Sequence, residues 1–491
     1  MSGHNPEELA LGKTLKIGRV LTGLWQVADI EKDGAVIDPE RGADHLEAYV
    51  KEGFSTFDMA DHYGSAEIIA GHLLKRYPDD DKRPVICTKW CPEPGPMSAK
   101  VVRAGVQKRL DRLGVKQIDL LQFHWWMYEH LGWLDALHEL KNLRGEGLIR
   151  EIGVTNFDAA HLRVALSDGI PVVSNQVSFS LLDRRASGAL GKLCRESNVR
   201  LLAYGTLCGG FLSDRWLGQP EPVGISDWSK MKYKRFIDAA GGWSKYQATL
   251  AAAAEIAAQH GVSISNVATR WVLDQPHVAG VIVGARIGES EHWADNSRLS
   301  GFSLSSDDHA HLEASFSAPL PGDCGDEYRK PPFLTASGDL SHHLNTSKNP
   351  FEASVVEGRP QWRQVLTGSK WEEIAGYCRA QRVGDRIFVS GTTATAGSDR
   401  AVAPQDAGAQ TTFILDKIAA SLRALDACLD DVVRTRVYLT DADDVVAVSE
   451  AHGRVFADIK PANTLIVVAQ LIGDYRVEIE AEALIPEPYS N

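Results

Sequence analysis

Four polar residues follow short apolar segments in the first part of the chain, and this arrangement constrains the fold more than any other feature. The segments span residues 55–58, 85–89 and 120–124, and each reads as a β-strand. The polar residues at or just past their ends are Asp58, Tyr63, Lys89 and His124. Because the ends of consecutive parallel strands converge on one face of a barrel, a ligand can lie across all four. The sequence therefore predicts an active site at the carboxyl ends of parallel strands.

Length and composition limit the classes of protein to consider. At about 100–200 residues per domain, a chain of 491 residues predicts two or three domains. A hydrophobic fraction of 44% is enough for full cores. The net charge of -13 argues against a nucleic-acid partner or an anionic membrane, since both need a basic surface. These properties favour small-molecule chemistry.

Cysteine usage and the amino terminus bear on the cellular compartment. The seven cysteines include no CxxC pair, which predicts neither a disulfide framework nor a zinc site. His342 and His343, taken with Asp323 and Cys324, fit no metal-ligand spacing, so no metal site is predicted. Residues 1–8 are polar and acidic, unlike a targeting peptide, and no apolar run approaches the ~20 residues of a membrane span. We therefore expect a soluble, cytoplasmic protein.

The first three hundred residues alternate between strand-like and helix-like segments. Further short apolar runs occur at residues 19–23, 149–154, 172–176, 200–204 and 280–284. With the three segments above they make about eight strands, the number that a closed parallel barrel needs. An open doubly wound sheet is the alternative, but no GxGxxG motif follows the first strand. The predicted fold class is α/β, with a (β/α)8 TIM barrel over residues 1–317.

Three segments then resemble the signature segments of the aldo-keto reductases: residues 57–64 (FDMADHYG), 88–89 (TK) and 123–125 (FHW). In that family an Asp, a Tyr, a Lys and a His form a catalytic tetrad, and all four positions are filled here. The resemblance covers about residues 10–315. It implies reversible hydride transfer between a nicotinamide cofactor, usually NADPH, and a carbonyl or alcohol.

The chemistry of the four residues agrees with that role. A phenol with a pKa of ~10 is a weak acid near neutral pH unless its anion is favoured. At ~4 Å and an effective dielectric of ~20, the Lys89 ammonium would contribute ~4 kcal/mol to that anion, about three pK units at most. Tyr63 is therefore the expected proton donor, Asp58 would keep Lys89 charged, and a neutral His124 would polarise the substrate oxygen. Taken singly, each residue also has an ordinary structural interpretation.

Later strand ends supply the predicted cofactor site. The resemblance places Ser174, Asn175 and Gln176 on the nicotinamide carboxamide and Tyr204 on the nicotinamide ring, and Gly205 stands where the family usually has Ser. A guanidinium suits a 2′-phosphate, so Arg286 favours NADPH over NADH, unless it is only a solvated surface residue. The remaining residues assigned to the cofactor are Leu207, Gly284, Ser290 and Asn296.

Tryptophans follow several of the same strands. Trp25 and Trp125 match family positions that line the substrate pocket, and Trp90 follows Lys89 directly. Their rings suit a flat or apolar carbonyl substrate. Ordinary packing over the barrel mouth is the alternative.

A second domain is predicted at residues 369–491, after a linker at residues 318–368 rich in Pro and Gly. Its order of strands and helices predicts an α+β layer pair. The segments 375–377, 389–391 and 476–480 resemble the Rid/YjgF imine deaminases, with Tyr377 and Glu478 at matching cleft positions. Asn463 stands where the deaminases place the arginine that holds the substrate carboxylate. Rid-like domains typically form trimers, so a homotrimer is expected.

The leading hypothesis is an NADPH-dependent carbonyl reductase that carries a Rid-like oligomerisation or substrate-handling domain. One alternative is a bifunctional enzyme, in which the second domain hydrolyses an imine or enamine and the barrel reduces the released carbonyl. Another is a non-catalytic binding protein that senses the cofactor. The sequence names neither the substrate nor the direction of the reaction.

Overall fold

The computed structural model describes residues 7–27, 37–78, 82–285, 287, 292–315, 320, 322–324, 349–397 and 399–485. Several sequence predictions fall outside these ranges. Arg286 and Ser290 of the predicted cofactor site lie outside the described residues, as do His342, His343 and much of the predicted linker.

Eight parallel strands close into a barrel, as the sequence predicted. They are β3 (Val20–Gly23), β4 (Thr56–Asp58), β5 (Val85–Trp90), β6 (Ile118–His124), β7 (Ile149–Thr155), β8 (Val172–Ser178), β9 (Arg200–Tyr204) and β10 (Val278–Gly284). Each strand pairs with the next along the chain, and β10 closes the ring on β3 with Val281 opposite Val20. The carboxyl ends of all eight strands therefore meet at one face.

A short hairpin precedes the barrel. Its antiparallel strands are β1 (Glu8–Leu11) and β2 (Leu15–Gly18). Leu11, Leu15 and Ile17 pack with buried barrel residues that include Leu21 and Cys87. This cluster extends the apolar core at one end of the barrel.

Helices surround the barrel because their apolar residues recur at helical spacing. In Ala99–Leu113 the buried side chains include Val102, Val106, Leu110 and Leu113, and Ser98 caps the first turn. The other helices of this part are Pro39–Lys51, Ala66–Leu74, Gly132–Gly145, Ala159–Ser167, Ala189–Ser197, Trp228–Ala239, Gly242–His260, Ile264–Leu273, Trp293–Asn296 and Ser306–Ser315.

The carboxyl-terminal domain is a mixed sheet of seven strands in the order β11-β12-β13-β14-β19-β17-β18. The strands are β11 (Ala353–Val356), β12 (Arg359–Val365), β13 (Ala380–Val383), β14 (Arg386–Thr393), β17 (Val432–Leu439), β18 (Ala462–Val467) and β19 (Val477–Leu484), and β15 (Thr395–Ala396) pairs with β16 (Arg400–Ala401) in a separate ribbon. The helices are Lys370–Ala375, Ala407–Ala424 and Val445–Phe456. Two of the strands, β11 and β12, lie inside the segment predicted as a linker and extend the sheet from β13.

The two domains share a buried polar junction. Helix Ala407–Ala424 packs against barrel helix Ala159–Ser167. Between them, His161 Nδ1 lies 2.7 Å from Asp158 Oδ2, and its Nε2 lies 3.1 Å from Asp416 Oδ2 across the domain boundary. The Tyr128 ring stacks on the imidazole with a centroid distance of 3.5 Å. A histidine with a carboxylate on each side therefore connects the domains.

Within the part of the chain that the structure describes, no helix combines the length and apolar character needed to cross a membrane.

Candidate active site

Lys89 and Asp58 form a buried ion pair at the carboxyl ends of adjacent strands. Lys89 Nζ donates to Asp58 Oδ2 at 2.7 Å and to the backbone oxygen of Met59 at 3.0 Å. Burial disfavours the charged amine, but the nearby Asp58 carboxylate and Tyr63 outweigh it, so the pKa of Lys89 is raised above its ordinary value. The ammonium form is therefore the stable one at neutral pH.

The other carboxylate oxygen of Asp58 accepts from two amides. Gln176 Nε2 lies 2.7 Å from Asp58 Oδ1, and Gln122 Nε2 lies 3.1 Å from the same atom. The two amides also bond to each other at 3.0 Å. Gln176 was predicted to contact the nicotinamide, whereas here its amide nitrogen holds Asp58. Gln122 was not predicted as a site residue. It lies two residues before His124 on the same strand and therefore on the same face, and this spacing could have indicated it from the sequence.

Tyr63 lies above this pair, just beyond β4. Its ring centroid is 5.2 Å from Lys89 Nζ, and the edge of Trp25 packs against the ring at a centroid distance of 5.0 Å. Burial raises the pKa of the Tyr63 phenol to about 12, and the opposing effect of Lys89 is smaller. Lys89 acts to lower this pKa, as expected from the sequence, but the desolvation of the phenol outweighs it. That desolvation depends on packing, which the sequence does not show.

His124 ends β6 on the same face. Burial lowers the pKa of its imidazole to about 3, with His62 and Lys89 acting in the same direction. A pKa this low favours the neutral ring across the physiological range. Cys91 Sγ lies 3.5 Å from His124 Nδ1, and Trp126 packs edge-on to the imidazole at a centroid distance of 5.7 Å.

The predicted nicotinamide contacts lie at neighbouring strand ends. Asn175 is tied to the loop after β7, because Phe157 N donates to its Oδ1 at 3.3 Å and its Nδ2 donates to Phe157 O at 2.7 Å. Tyr204 donates its hydroxyl hydrogen to Asn156 Oδ1 at 2.9 Å. Ser174 Oγ is buried against Gly153 of the neighbouring strand and has no hydrogen-bond partner among the described residues.

The structure leaves no room for a side chain at Gly205. Its φ is +71°, and a Cβ there would overlap the hydroxyl oxygen of Tyr233. Tyr233 thus fills the space in which the aldo-keto reductases usually carry a serine side chain. Lys232 Nζ lies 5.5 Å from the centroid of the Tyr204 ring and puts a cation beside the predicted nicotinamide position.

The remaining predicted cofactor residues are more dispersed. Leu207 is partly buried and packs on the core, and Gly284 ends β10 with open space where a Cβ would stand. Asn296 is the last residue of the short helix Trp293–Asn296 and is half-buried.

The three predicted substrate-pocket tryptophans do not come together. Trp25 lies at the site, against Tyr63. Trp90 is buried and faces the helix layer, since a Cβ on Gly105 would lie 2.6 Å from its indole. Trp125 is fully buried, stacks on Phe123 and donates its indole N–H to Met127 O at 2.7 Å. Because side chains alternate along a strand, Trp90 and Trp125 point away from the face that carries Lys89 and His124.

Asp61, His62 and Cys91 each place one possible metal-ligand atom within 4.8 Å of the others, beside the site. Asp61 already has protein partners: His62 Nδ1 lies 3.1 Å away, the Cys91 amide donates to it at 3.1 Å, and Arg109 lies at 3.6 Å. We assign no metal to this group.

The predicted Rid-like cleft is only partly assembled within one chain. The Arg379 guanidinium lies 5.9 Å from the Tyr377 ring centroid and donates to Gly391 O at 2.7 Å. Glu478 lies against Gly391, and burial raises the pKa of its carboxyl group. Asn463 is exposed on edge strand β18 and donates to Thr435 Oγ1 at 2.9 Å. It is separated from the strand of Glu478 by β17.

Comparison with known families agrees with this division of the chain. The model of the aldo/keto reductase family matches residues 19–316. This chain belongs to the aldo/keto reductase family. The family described as endoribonuclease L-PSP, to which the Rid/YjgF proteins belong, matches residues 367–485. The predicted fusion of an aldo-keto reductase barrel to a Rid/YjgF-like domain is therefore confirmed, and the chain is an oxidoreductase by family.

Individual relatives match one domain or the other. Aldo-keto reductase YhdN of Bacillus subtilis is 25% identical over 65% of this chain and 96% of its own length. An uncharacterized protein of Streptomyces coelicolor is 38% identical over 24% of this chain and 88% of its own length. Flagellar radial spoke protein 5 of Chlamydomonas reinhardtii is 33% identical, but this chain spans only 33% of that protein. The solved glycerol dehydrogenase of Gluconobacter oxydans, at 24% identity, covers 66% of this chain and 98% of its own chain with a TM-score of 0.53, which supports the fold.

Proposed function

We propose that the barrel reduces an aldehyde or ketone to an alcohol at the expense of NADPH, with Tyr63 as the proton donor. The observation that carries the proposal is the buried Lys89–Asp58 pair at 2.7 Å beneath the Tyr63 ring. A structural ion pair needs no phenol above it. A carbonyl reductase needs a proton donor whose anion is stabilised at the moment of transfer.

Tyr63, Lys89 and Asp58 have different roles in proton transfer. The phenol of Tyr63 stays protonated at neutral pH, because burial keeps its pKa near 12. As negative charge grows on the substrate oxygen, Tyr63 donates its proton, and the Lys89 ammonium stabilises the tyrosinate that forms. Asp58 keeps Lys89 charged and oriented, while Gln122 and Gln176 hold Asp58 in place. In oxidation the same tyrosinate accepts the proton.

His124 is proposed to bind the substrate carbonyl and not to transfer the proton. Its imidazole is neutral, so it can donate one N–H to the carbonyl oxygen without adding a charge beside Lys89. Cys91 Sγ, 3.5 Å from Nδ1, is a weak partner for the other ring nitrogen. Two donors, His124 and Tyr63, would then converge on one substrate oxygen.

The residues present fit a nicotinamide cofactor, which supplies the hydride when bound. Ser174 Oγ is a buried hydroxyl that has no partner among the described residues, whereas the Asn175 amide is bonded at both ends to the Phe157 backbone. The preference for NADPH over NADH rests on the resemblance at Arg286, with Lys232 as an additional cation near Tyr204. Measuring the dissociation constants of NADPH and NADH for the full chain tests this preference directly. A ratio near one would contradict it.

The substrate is a small carbonyl compound or the corresponding alcohol. Trp25 beside Tyr63 and Trp126 beside His124 give the site two aromatic walls. Such walls suit a flat or apolar substituent on the carbonyl carbon. A panel of aromatic and short aliphatic aldehydes should therefore favour the aromatic members.

The second domain is proposed to act in assembly rather than in imine hydrolysis. In a single chain Asn463 lies on β18, two strands from Glu478, and it offers no cation for a substrate carboxylate. Phe388 and Leu484 are 43% and 41% exposed on neighbouring strands of the sheet, which supports a homotrimer through this domain. Light scattering on the full chain tests the trimer. The bifunctional enzyme is the second candidate, since Arg379 and Glu478 both lie against Gly391 and the Tyr377 ring lies beside Arg379.

A further inference from the structure

A cavity of about 940 Å³ lies between the barrel and the carboxyl-terminal domain, apart from the tetrad. The barrel contributes the beginning of helix Ala159–Ser167 and one face of helix Ala189–Ser197, and the other domain contributes helices Ala407–Ala424 and Val445–Phe456. Its volume falls within the range of about 300–1,000 Å³ typical of small-molecule sites. Because each domain supplies only part of the wall, the cavity exists only where the two domains meet.

Small apolar residues form part of the wall. Ala160 and Leu193 line it from the barrel, and Ala447 and Ala451 line it from helix Val445–Phe456. Alanines at a helix–helix contact normally allow the helices to approach closely. Here they border open space instead. This part of the cavity suits the apolar portion of a ligand.

The charged residues in the wall are mainly basic. The basic ones are Arg163, Arg184, Arg185, Lys192 and Arg454, and the acidic ones are Glu196, Asp323 and Glu450. Arg185 pairs with Asp183 at 2.7 Å, Arg163 with Asp406 at 2.7 Å, and Arg454 lies 3.6 Å from Asp158. Asp323 accepts the Ala159 N–H at 3.1 Å, so one of the acids is already engaged.

Lys192 and Arg184 are the two cations whose position best defines an anion site. Lys192 lies in the first turn of helix Ala189–Ser197, where the backbone N–H groups carry partial positive charge. Gly188 precedes this helix, and in the described structure no side chain caps it. Burial lowers the pKa of Arg184, although the Glu313 carboxylate acts in the opposite direction, so its guanidinium is partly desolvated. The Lys192 side chain, the Arg184 guanidinium and the start of helix Ala189–Ser197 all line the same cavity.

We propose that this cavity binds a small organic anion. Its carboxylate or phosphate would lie against Lys192, Arg184 and the start of helix Ala189–Ser197, and its apolar part against Ala160, Ala447 and Ala451. Such a ligand contacts both domains and would stabilise their association. The proposal does not depend on the reductase activity.

The test is a fluorescence titration of the full chain with 8-anilinonaphthalene-1-sulfonate, an anion with an apolar body. One site should be saturable, and either succinate or inorganic phosphate should displace the dye, which identifies the preferred acid group. The double variant Arg184→Gln/Lys192→Gln should weaken binding at least tenfold, and Ala451→Trp should abolish it by filling the cavity. Lys100→Gln, an exposed lysine elsewhere on the barrel that does not line the cavity, is the matched control and should bind like the wild type.

Two results would overturn the proposal. One is the absence of saturable dye binding to the wild type. The other is binding that remains within twofold of the wild type in both the double variant and Ala451→Trp. If Ala451→Trp fails to fold, Lys192→Gln alone decides, because this exposed substitution leaves the packing intact and should still weaken binding measurably.

Discussion

Nζ of Lys89 lies 2.7 Å from Oδ2 of Asp58, and the two side chains are 3% and 4% exposed. The second oxygen of Asp58 is held by the amides of Gln122 and Gln176. An ammonium this deeply buried would ordinarily lose its proton. The carboxylate prevents this, so a fixed positive charge lies beneath the Tyr63 ring.

Replacing this charge should slow the reaction far more than it weakens substrate binding. In Lys89→Met the tyrosinate that forms during transfer loses its counter-charge, and we expect kcat to fall by about 10²–10⁴. KM should change little, because the substrate contacts remain. Steady-state kinetics of the variant, with Lys100→Met as an exposed control, give the comparison. A loss of kcat below threefold would show that the lysine is only structural.

The lowered pKa of His124 allows a prediction of how kcat/KM depends on pH. The imidazole is neutral above its pKa of about 3, so kcat/KM for reduction should show no inflection from His124 between pH 5 and pH 8. His124→Asn should lower kcat/KM but leave the shape of the profile unchanged. An inflection near pH 6 that disappears in the variant would contradict the neutral imidazole.

The domain junction should lose stability in alkali. Burial lowers the pKa of His161, but Asp158 and Asp416 outweigh it and raise the pKa to about 10. A raised folded-state pKa contributes stability that is complete below the unfolded value of about 6.5 and is lost as the pH rises through the folded value. Urea unfolding of the wild type should therefore weaken progressively from about pH 7 to pH 10.

His161→Ala provides the matching variant. It removes the cation shared by two buried carboxylates, of which Asp158 keeps Arg454 at 3.6 Å, and should cost about 3–5 kcal/mol near neutral pH. It should also remove most of the pH dependence between pH 7 and pH 10. Equal slopes in the two proteins would exclude His161 as the source.

For the second domain we predict a substitution that increases activity. The full-length wild type should not accelerate hydrolysis of a 2-imino acid, because Asn463 provides no positive charge for the carboxylate. Asn463→Arg supplies the cation and should raise the rate above that of the wild type, provided that the cleft is otherwise competent. Asn463→Gln, which adds length without charge, is the control. Wild-type turnover at a rate unaffected by either change would favour the bifunctional enzyme.

Much of the fold follows from sequence because its signals are local. Each of the eight barrel strands was visible as a short apolar run, and the structure brings the four polar residues at or near strand ends together as expected. Residues in β11 and β12 were assigned to a linker instead. These strands lie near the edge of the sheet, and their side chains are largely exposed, so they lack the apolar pattern on which the prediction relied.

Details of the site depended on packing that sequence does not encode locally. Gln122 and Gln176 meet at Asp58 only because the barrel closes, which brings β6 and β8 against the same carboxylate. The orientation of Trp90 follows from the inward direction of Lys89 on the same strand, and that alternation could have been applied to the sequence. The junction of His161 with Asp416 joins residues 255 positions apart, and no short pattern connects them.

The most direct test of the central claim is a comparison of wild type and Tyr63→Phe in NADPH-dependent reduction of an aromatic aldehyde, with the NADPH dissociation constant measured for both proteins. We expect wild-type turnover, a loss of kcat of at least about 10² in the variant and a dissociation constant within about threefold of the wild type. Undiminished turnover in Tyr63→Phe would contradict Tyr63 as the proton donor. Absence of wild-type turnover despite NADPH binding would instead favour a cofactor-sensing protein.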